Sequence, residues 1–421
     1  MMDGVRRSLV AIVAFAVVAP LTLTACKGGD NDEAAAPWIQ SSASSAPPGG
    51  ASAAPPRTEG GAASGSASIT VSPANGKTNV PISAEIGFKI SGGKVAAVVV
   101  KDAKGKAVAG ALRDDGSSWV PSKPLKNKQR YAATVTATDD AGATATKSTS
   151  FTTMAKPGRQ TGTGLYLFDD RTYGVAMPVV VEFVPGIKKA DRAAVQKRMF
   201  VKTDPPQPGA WSWTSTGTQA YYRAPEFWKS GTKLTVRIAV GGLPTGGGRY
   251  GSQDRSASAK IGRSLVMKVE NKTKKMTVVQ DGKTIRTMPV SLGKKSTPSS
   301  SGTMVVMDKQ TSTIFDTTDT DGAAGYRETI EYAQRLTWSG QYIHSAPWSV
   351  GDQGRRNVSH GCVNLSPSNA KWIFDKSLIG DPITVTGTGD KLIYGNGWTP
   401  WNVSWQEFIK GSALPVPADL G

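Results

Sequence analysis

The sequence predicts a mainly β protein built of consecutive sandwich modules. Three observations carry this. Short runs of alternating apolar and polar residues recur between turn residues from Ile69 onward. Long runs of helical period are scarce, and Gly, Ala, Ser and Thr are abundant. The length, 421 residues of which 38% are hydrophobic, leaves room for about two to four domains, each with its own core.

The N-terminus, "MMDGVRRSLVAIVAFAVVAPLTLTAC", places Arg6 and Arg7 before an apolar run from Leu9 to Ala19, the pattern of a secretory signal over residues 1–25. A membrane-spanning helix competes with this reading. The stretch Leu9–Ala25 is slightly short for one, and Pro20 interrupts it. Leu23-Thr24-Ala25-Cys26 resembles the bacterial lipoprotein cleavage box, which implies a lipid on Cys26 and a new N-terminus there. Residues 26–67 follow as a linker. "SSASSAPPGGASAAPPRTEGGAASGSAS" has no periodic apolar face and cannot bury a core. As a flexible coil of about 40 residues it would span roughly 35 Å on average.

Residues 68–154 hold the runs "ITVSP", "AEIGFKI", "KVAAVVVKD", "RYAATVTATD" and "KSTSFTT", punctuated by Asn75-Gly76, Asp115-Gly116 and Ala141-Gly142. Strands at this spacing predict an antiparallel sandwich of immunoglobulin type with no chemical cluster, a spacer. Residues 155–260 predict a second such module. Its clustered Trp211, Trp213, Tyr221, Tyr222 and Trp228 are expected in the core, the competing reading being a sugar-stacking platform. "KKADRAAVQKRM" is read as one short helix. Residues 261–387 form a third β-domain. It opens with hairpins around Gln280-Asp281-Gly282-Lys283, continues through a long polar stretch, Ser296–Gly325, expected to be a lid loop, and holds one helix in "SPSNAKWIFDKS" capped by Ser366 or Ser368. Residues 388–421, with Trp398, Trp401 and Trp405, are expected as an apolar strap on that third domain.

The net charge is +18 and the pI about 9.8. A basic balance suits nucleic acid, anionic lipid or an acidic cell wall, and charge alone does not choose. Lys and Arg are spread along the chain and no nucleic-acid module is recognisable, so no nucleic-acid partner is expected.

The chain has two histidines and two cysteines, and three of these four residues, His344, His360 and Cys362, lie close together. Exported proteins usually pair their cysteines; with Cys26 lipidated, Cys362 would be a lone thiol, a liability unless its reactivity serves a purpose. The residues sit in "YIHS" and "NVSHGCVNLS". A cysteine attacks a carbonyl as thiolate and needs a base within reach, usually histidine. His360 is two residues from Cys362, so an extended segment would put both on one face; His344 ends a probable strand that folding could bring opposite. These residues alone leave both candidates open. Gly361, lacking Cβ, would let backbone N–H groups approach an oxyanion. A zinc site on His344, His360 and Cys362 is the competing reading, and its spacing matches no common pattern. A buried, inert cysteine is the third.

The segment "IHSAPWSVGDQGRRNVSHGCVNLSPSNAKWIF" closely resembles the signature of bacterial L,D-transpeptidases, a histidine followed by Ser/Thr-His-Gly-Cys-x-Asn. The resemblance is sharp over about residues 262–410 and weaker over 69–260. The layout is similar to the larger mycobacterial-type members: lipobox, immunoglobulin-like modules, catalytic β-domain with a lid loop, and a Trp-rich C-terminal segment. The resemblance implies Cys362 as nucleophile and His344 as base, oriented through the backbone carbonyl of Ser345. It implies backbone donors around His360, Gly361 and Cys362 for the oxyanion. Tyr326 matches the lid tyrosine, Ser339-Gly340 a substrate-contacting pair, Trp348 a wall aromatic, and Asn364 a residue holding the motif loop or the substrate. No metal or other cofactor is implied. The implied partners are peptidoglycan stem peptides, with carbapenem β-lactams as inhibitors. The implied reaction is 3→3 cross-linking from a tetrapeptide donor with release of D-alanine. The implied location is the outer face of the cell membrane, anchored by lipid and reaching into the wall. The alternatives are a wall-binding lipoprotein scaffold, or transfer of the stem onto a protein amine. Thr297-Pro298-Ser299-Ser300-Ser301-Gly302 departs from the Thr-Pro-x-Gly of many members.

Overall fold

A computed structural model of the chain describes residues 67–316, 318 and 327–420. The signal, Cys26, nearly all of the linker and Tyr326 lie outside the described residues. The described chain is mainly β, as its alternating runs predict.

Residues 68–153 form two four-stranded sheets. In one, Ser68–Ser72, Ile86–Ser91, Ser118–Pro121 and Gly110–Leu112 lie side by side. In the other, Arg130–Thr138 lies between Thr144–Thr153 and Lys94–Asp102. The period-two pattern works as expected here. Tyr131, Ala133, Val135 and Ala137 point inward and are buried, and the first three share a core with Ile86, Val100, Trp119 and Phe151.

Residues 160–261 form a second pair of sheets, one of six strands and one of four. Trp211, Trp213, Tyr221, Tyr222 and Trp228 are all buried, so the aromatic cluster is core. Trp211 and Trp228 satisfy their indole N–H groups on the carbonyls of Met199 and Met177. The helical reading of 188–199 holds over Arg192–Gln196, preceded by a 3-10 turn, Lys189–Asp191. The two sandwiches are joined by Glu85, whose carboxylate accepts from Arg113, from Ser118 and, across the junction, from Arg198 at 2.5 Å. Arg237 extends this junction, donating to the Pro121 carbonyl at 2.8 Å and to Asp254 at 3.2 Å.

The third β-unit has a six-stranded sheet and a four-stranded one. In the six-stranded sheet, Leu265–Glu270 pairs in parallel with Pro382–Thr386, and Ser300–Val305 pairs antiparallel with Pro382–Thr386. The four-stranded sheet runs Asp308–Asp316, Arg327–Arg335, Tyr342–Ser345, Val363–Leu365. The helix Pro367–Lys376 presses Ala370 and Ile373 into the core against Leu365 and Ile343. Its start is set by Ser366, whose hydroxyl accepts the Asn369 N–H at 3.4 Å, and by Pro367 in the first turn.

Two expectations need correction. Ser296–Gly325 is not one long loop, because two strands, Ser300–Val305 and Asp308–Asp316, run through it. The first buries only Ser300, Met304 and Val305, and the second, in the other sheet, buries none, so neither shows an apolar run. The Trp-rich tail packs chiefly on the second sandwich rather than on the third domain. Trp398 lies 5.4 Å from Tyr166, Trp401 4.7 Å from Phe227, and the Arg223 guanidinium sits over Trp401, Trp405 and Phe408. The aromatic spacing marks an apolar face without saying which surface it meets.

Candidate functional site

The site is assembled by two short parallel strands. Ile343, His344 and Ser345 of Tyr342–Ser345 pair with Val363, Asn364 and Leu365 of Val363–Leu365. Aromatic and β-branched residues favour both strands, and buried Ile343, Val363 and Leu365 hold them to the core. Because side chains alternate, Tyr342 and His344 share a face with Asn364, and Cys362, one residue before its strand, continues that face.

The turn before Cys362 is held by hydroxyls. Ser359 Oγ donates to the Cys362 carbonyl at 2.7 Å and accepts the Gly361 N–H at 3.2 Å. Ser299 Oγ, itself fully buried, donates to the Gly361 carbonyl at 2.7 Å and accepts the Gly293 N–H at 3.0 Å. Gly361 has φ +118°, a left-handed conformation that side chains disfavour, although the nearest atom to a Cβ there would be 3.7 Å away. Glycine is required here by the backbone and not by space.

His344 is 3% exposed, and its Nδ1 lies 2.8 Å from the Ser345 carbonyl. A carbonyl only accepts, so Nδ1 carries the proton and the Nε2 lone pair is left available. Burial lowers the His344 pKa below its ordinary range, with the Ser345 carbonyl and Asn364 partly opposing. Asn364 donates through Nδ2 to Ser349 Oγ at 3.2 Å; its buried Oδ1 has no partner within hydrogen-bonding distance and acts on the imidazole at longer range.

The Cys362 thiol is 8% exposed and donates weakly toward the Gly340 carbonyl at 3.7 Å. Burial pushes its pKa up to about 12, against the pull of the Tyr342 N–H, which favours the thiolate. Burial thus favours the uncharged form of both the thiol and the imidazole. Such a pair performs general-base catalysis: the proton leaves sulfur only as a carbonyl is attacked.

Aromatic rings cover the imidazole. Phe315 is 5.5 Å from the His344 ring and 4.6 Å from Tyr342, and Trp348, 58% exposed, is 6.1 Å from His344. Ser339 and Gly340 form an exposed turn beside the sulfur. His360 is exposed, with Nε2 3.0 Å from Lys294 Nζ, whereas His344 is buried. The two histidines thus meet different partners. Phe315, Ser349 and Tyr342 are site residues that the sequence does not single out. A lone aromatic in a polar stretch was the available signal for Phe315; the others carry none.

Comparison with known proteins adds two family matches. A bacterial Ig domain model matches residues 77–244, spanning both sandwiches, and an L,D-transpeptidase catalytic domain model matches residues 265–385. L,D-transpeptidase 2 of Mycobacterium tuberculosis is 34% identical over 350 residues, 82% of this chain and 85% of that protein. L,D-transpeptidase 5 of the same organism is 34% identical over 359 residues, 83% of this chain and 78% of that protein. A solved L,D-transpeptidase in complex with imipenem is 34% identical, covering 55% of this chain and all of that one, with a TM-score of 0.46.

Proposed function

The chain belongs to the L,D-transpeptidase family, and from that premise we propose that it joins peptidoglycan stems in 3→3 cross-links by acyl transfer through Cys362. As a member of that family it is an acyltransferase. The observation that carries the cysteine mechanism is the pairing of His344 with Ser345. The imidazole is buried on the sheet face of the thiol, with Nδ1 tied to a carbonyl and Nε2 left to accept a proton.

His344 takes the Sγ proton as sulfur bonds to the carbonyl carbon of the third residue of a tetrapeptide stem. The tetrahedral intermediate collapses, the peptide bond breaks, and D-alanine leaves with the proton from His344. A thioester remains on Cys362. The side-chain amine of a second stem attacks it, giving its proton to His344, and the thiol is regenerated. Water in place of the amine makes the reaction a carboxypeptidase cleavage. The Tyr342 N–H, already directed at sulfur, favours the thiolate as it forms. A carbapenem enters the same scheme. Its strained carbonyl is attacked, the lactam C–N bond breaks, and the nitrogen stays tethered and takes the proton.

Trp348 and Phe315 place apolar surface beside the imidazole, where the donor stem would lie. Lipid attachment at Cys26 would hold the protein at the outer membrane face, the sandwiches carrying the site into the wall.

The test is incubation of purified protein with disaccharide-tetrapeptide, with products read by tandem mass spectrometry. A dimer lighter than two monomers by one D-alanine, linked between third residues, is expected. Release of D-alanine without dimer would leave a carboxypeptidase. No product from a folded protein would favour a wall-binding scaffold.

A further inference from the structure

We propose that Asn396, in the C-terminal segment, is a positioning residue that sets the environment of the Cys362 thiol through the Ser339–Gly340 turn. This rests on the acyl-transfer reading above. Asn396 grips Ser339 twice: its Oδ1 accepts the Ser339 N–H at 3.0 Å and its Nδ2 donates to Ser339 Oγ at 2.9 Å. Ser339 Oγ lies 3.1 Å from Thr337 Oγ1, which accepts the Gln341 N–H at 3.0 Å. The amide therefore braces the whole turn from Thr337 to Gln341.

The turn needs bracing. Arg335 holds the entry of the turn at the Thr337 and Trp338 carbonyls, but Ser339 and Gly340 are exposed, Gly340 has φ +92°, and no atom lies within 4 Å of where its Cβ would be, so the tip of the turn depends on Asn396. Yet this turn and the residue after it offer sulfur two groups of opposite kind. The Gly340 carbonyl accepts from the thiol at 3.7 Å, and the Tyr342 N–H donates to the thiolate. A charge-assisted bond is the stronger of the two, so an ordered turn favours the thiolate on balance.

Asn396 is itself anchored outside the catalytic sheet. The next residue, Gly397, is buried at φ +105°, where a Cβ would come 2.8 Å from the Leu336 carbonyl, and its own carbonyl lies 3.0 Å from the buried Tyr221 hydroxyl of the second sandwich. Position 396 also falls beyond residues 265–385, which the catalytic-domain model matches. The second sandwich and the tail thus complete the site through one amide.

The test is iodoacetamide alkylation of the full-length protein at pH 8, read at Cys362 by peptide mass spectrometry. Asn396→Ala should slow alkylation about ten-fold in a protein that stays folded, since both hydrogen bonds that hold Ser339 are lost. Asn396→Asp, which keeps the acceptor for Ser339 N–H and can accept from its hydroxyl, should recover most of the rate. Ser339→Ala, which removes only the hydroxyl half of the grip, should fall between. Alkylation of Asn396→Ala that is unchanged or faster than wild type overturns the proposal. Because alkylation needs no acyl donor, this result is separable from any failure of the wild-type protein to form a thioester.

Discussion

A neutral thiol–imidazole pair makes a prediction that an ion pair does not. Burial raises the Cys362 pKa from an ordinary 9.0 to about 12, and lowers that of His344. A rise of that size leaves about a thousand-fold less thiolate at neutral pH than an ordinary cysteine has. A thiolate of higher pKa is intrinsically more nucleophilic, with a sensitivity of about 0.4–0.5, which returns about 25-fold. The net expectation is exchange with a small neutral disulfide about 40-fold slower than for free cysteine at pH 7.5. The rate should keep rising with pH to at least pH 10, without a plateau. Carbapenem acylation should nonetheless be fast at pH 7.5, because His344 removes the proton within the bound complex. Because burial lowers the His344 pKa, acylation should fall off on the acid side at a lower pH than an ordinary imidazole would give. Exchange would be followed at Cys362 by peptide mass, over pH 6 to 10. A plateau below pH 8, or a rate above that of free cysteine, would mean a resting thiolate–imidazolium pair and would refute the reasoning.

Other outcomes follow from the same geometry. His344→Gln, which keeps size and removes the base, should slow acylation by about a hundred- to ten-thousand-fold in stopped-flow fluorescence while leaving the melting temperature within a few degrees. Gly361→Ala should cost about 1–2 kcal/mol through its φ of +118° and slow acylation, with no cavity or clash to relieve. Burial alone would raise the Glu85 pKa, but hydrogen bonds from Arg113 and Ser118 and the charge of Arg198 outweigh it and hold the group at about 2. A depression from 4.5 to about 2 is worth about 3 kcal/mol, present above pH 4.5 and lost as pH falls toward 2. Glu85→Gln should therefore melt well below wild type at pH 7, and the gap should close by pH 2; a gap independent of pH would sink this assignment.

Much of the architecture was legible because strand burial is periodic at short range. Tyr131, Ala133, Val135 and Ala137 alternate with polar neighbours, and that alternation alone puts them inside. The Ser-His-Gly-Cys motif was legible because chemistry concentrates it in four consecutive residues. The choice of base was not. His360 stands nearer in sequence, and only the parallel pairing of His344 with Asn364 brings the other histidine to the sulfur's face. Phe315 and Asn396 were illegible for the same reason. Each reaches the site across a sheet or from another segment, and no local pattern records that contact. The strands within Ser296–Gly325 were hidden by their composition. Serine and threonine satisfy a half-exposed strand as well as a loop, so polarity did not separate the two.

Acyl transfer through Cys362 is tested most directly by intact-protein mass spectrometry with and without a carbapenem. A single adduct of the full carbapenem mass, absent from a folded Cys362→Ala variant, is the expected result. An unmodified wild-type protein with Cys362 reduced, or an adduct that persists in Cys362→Ala, would contradict it.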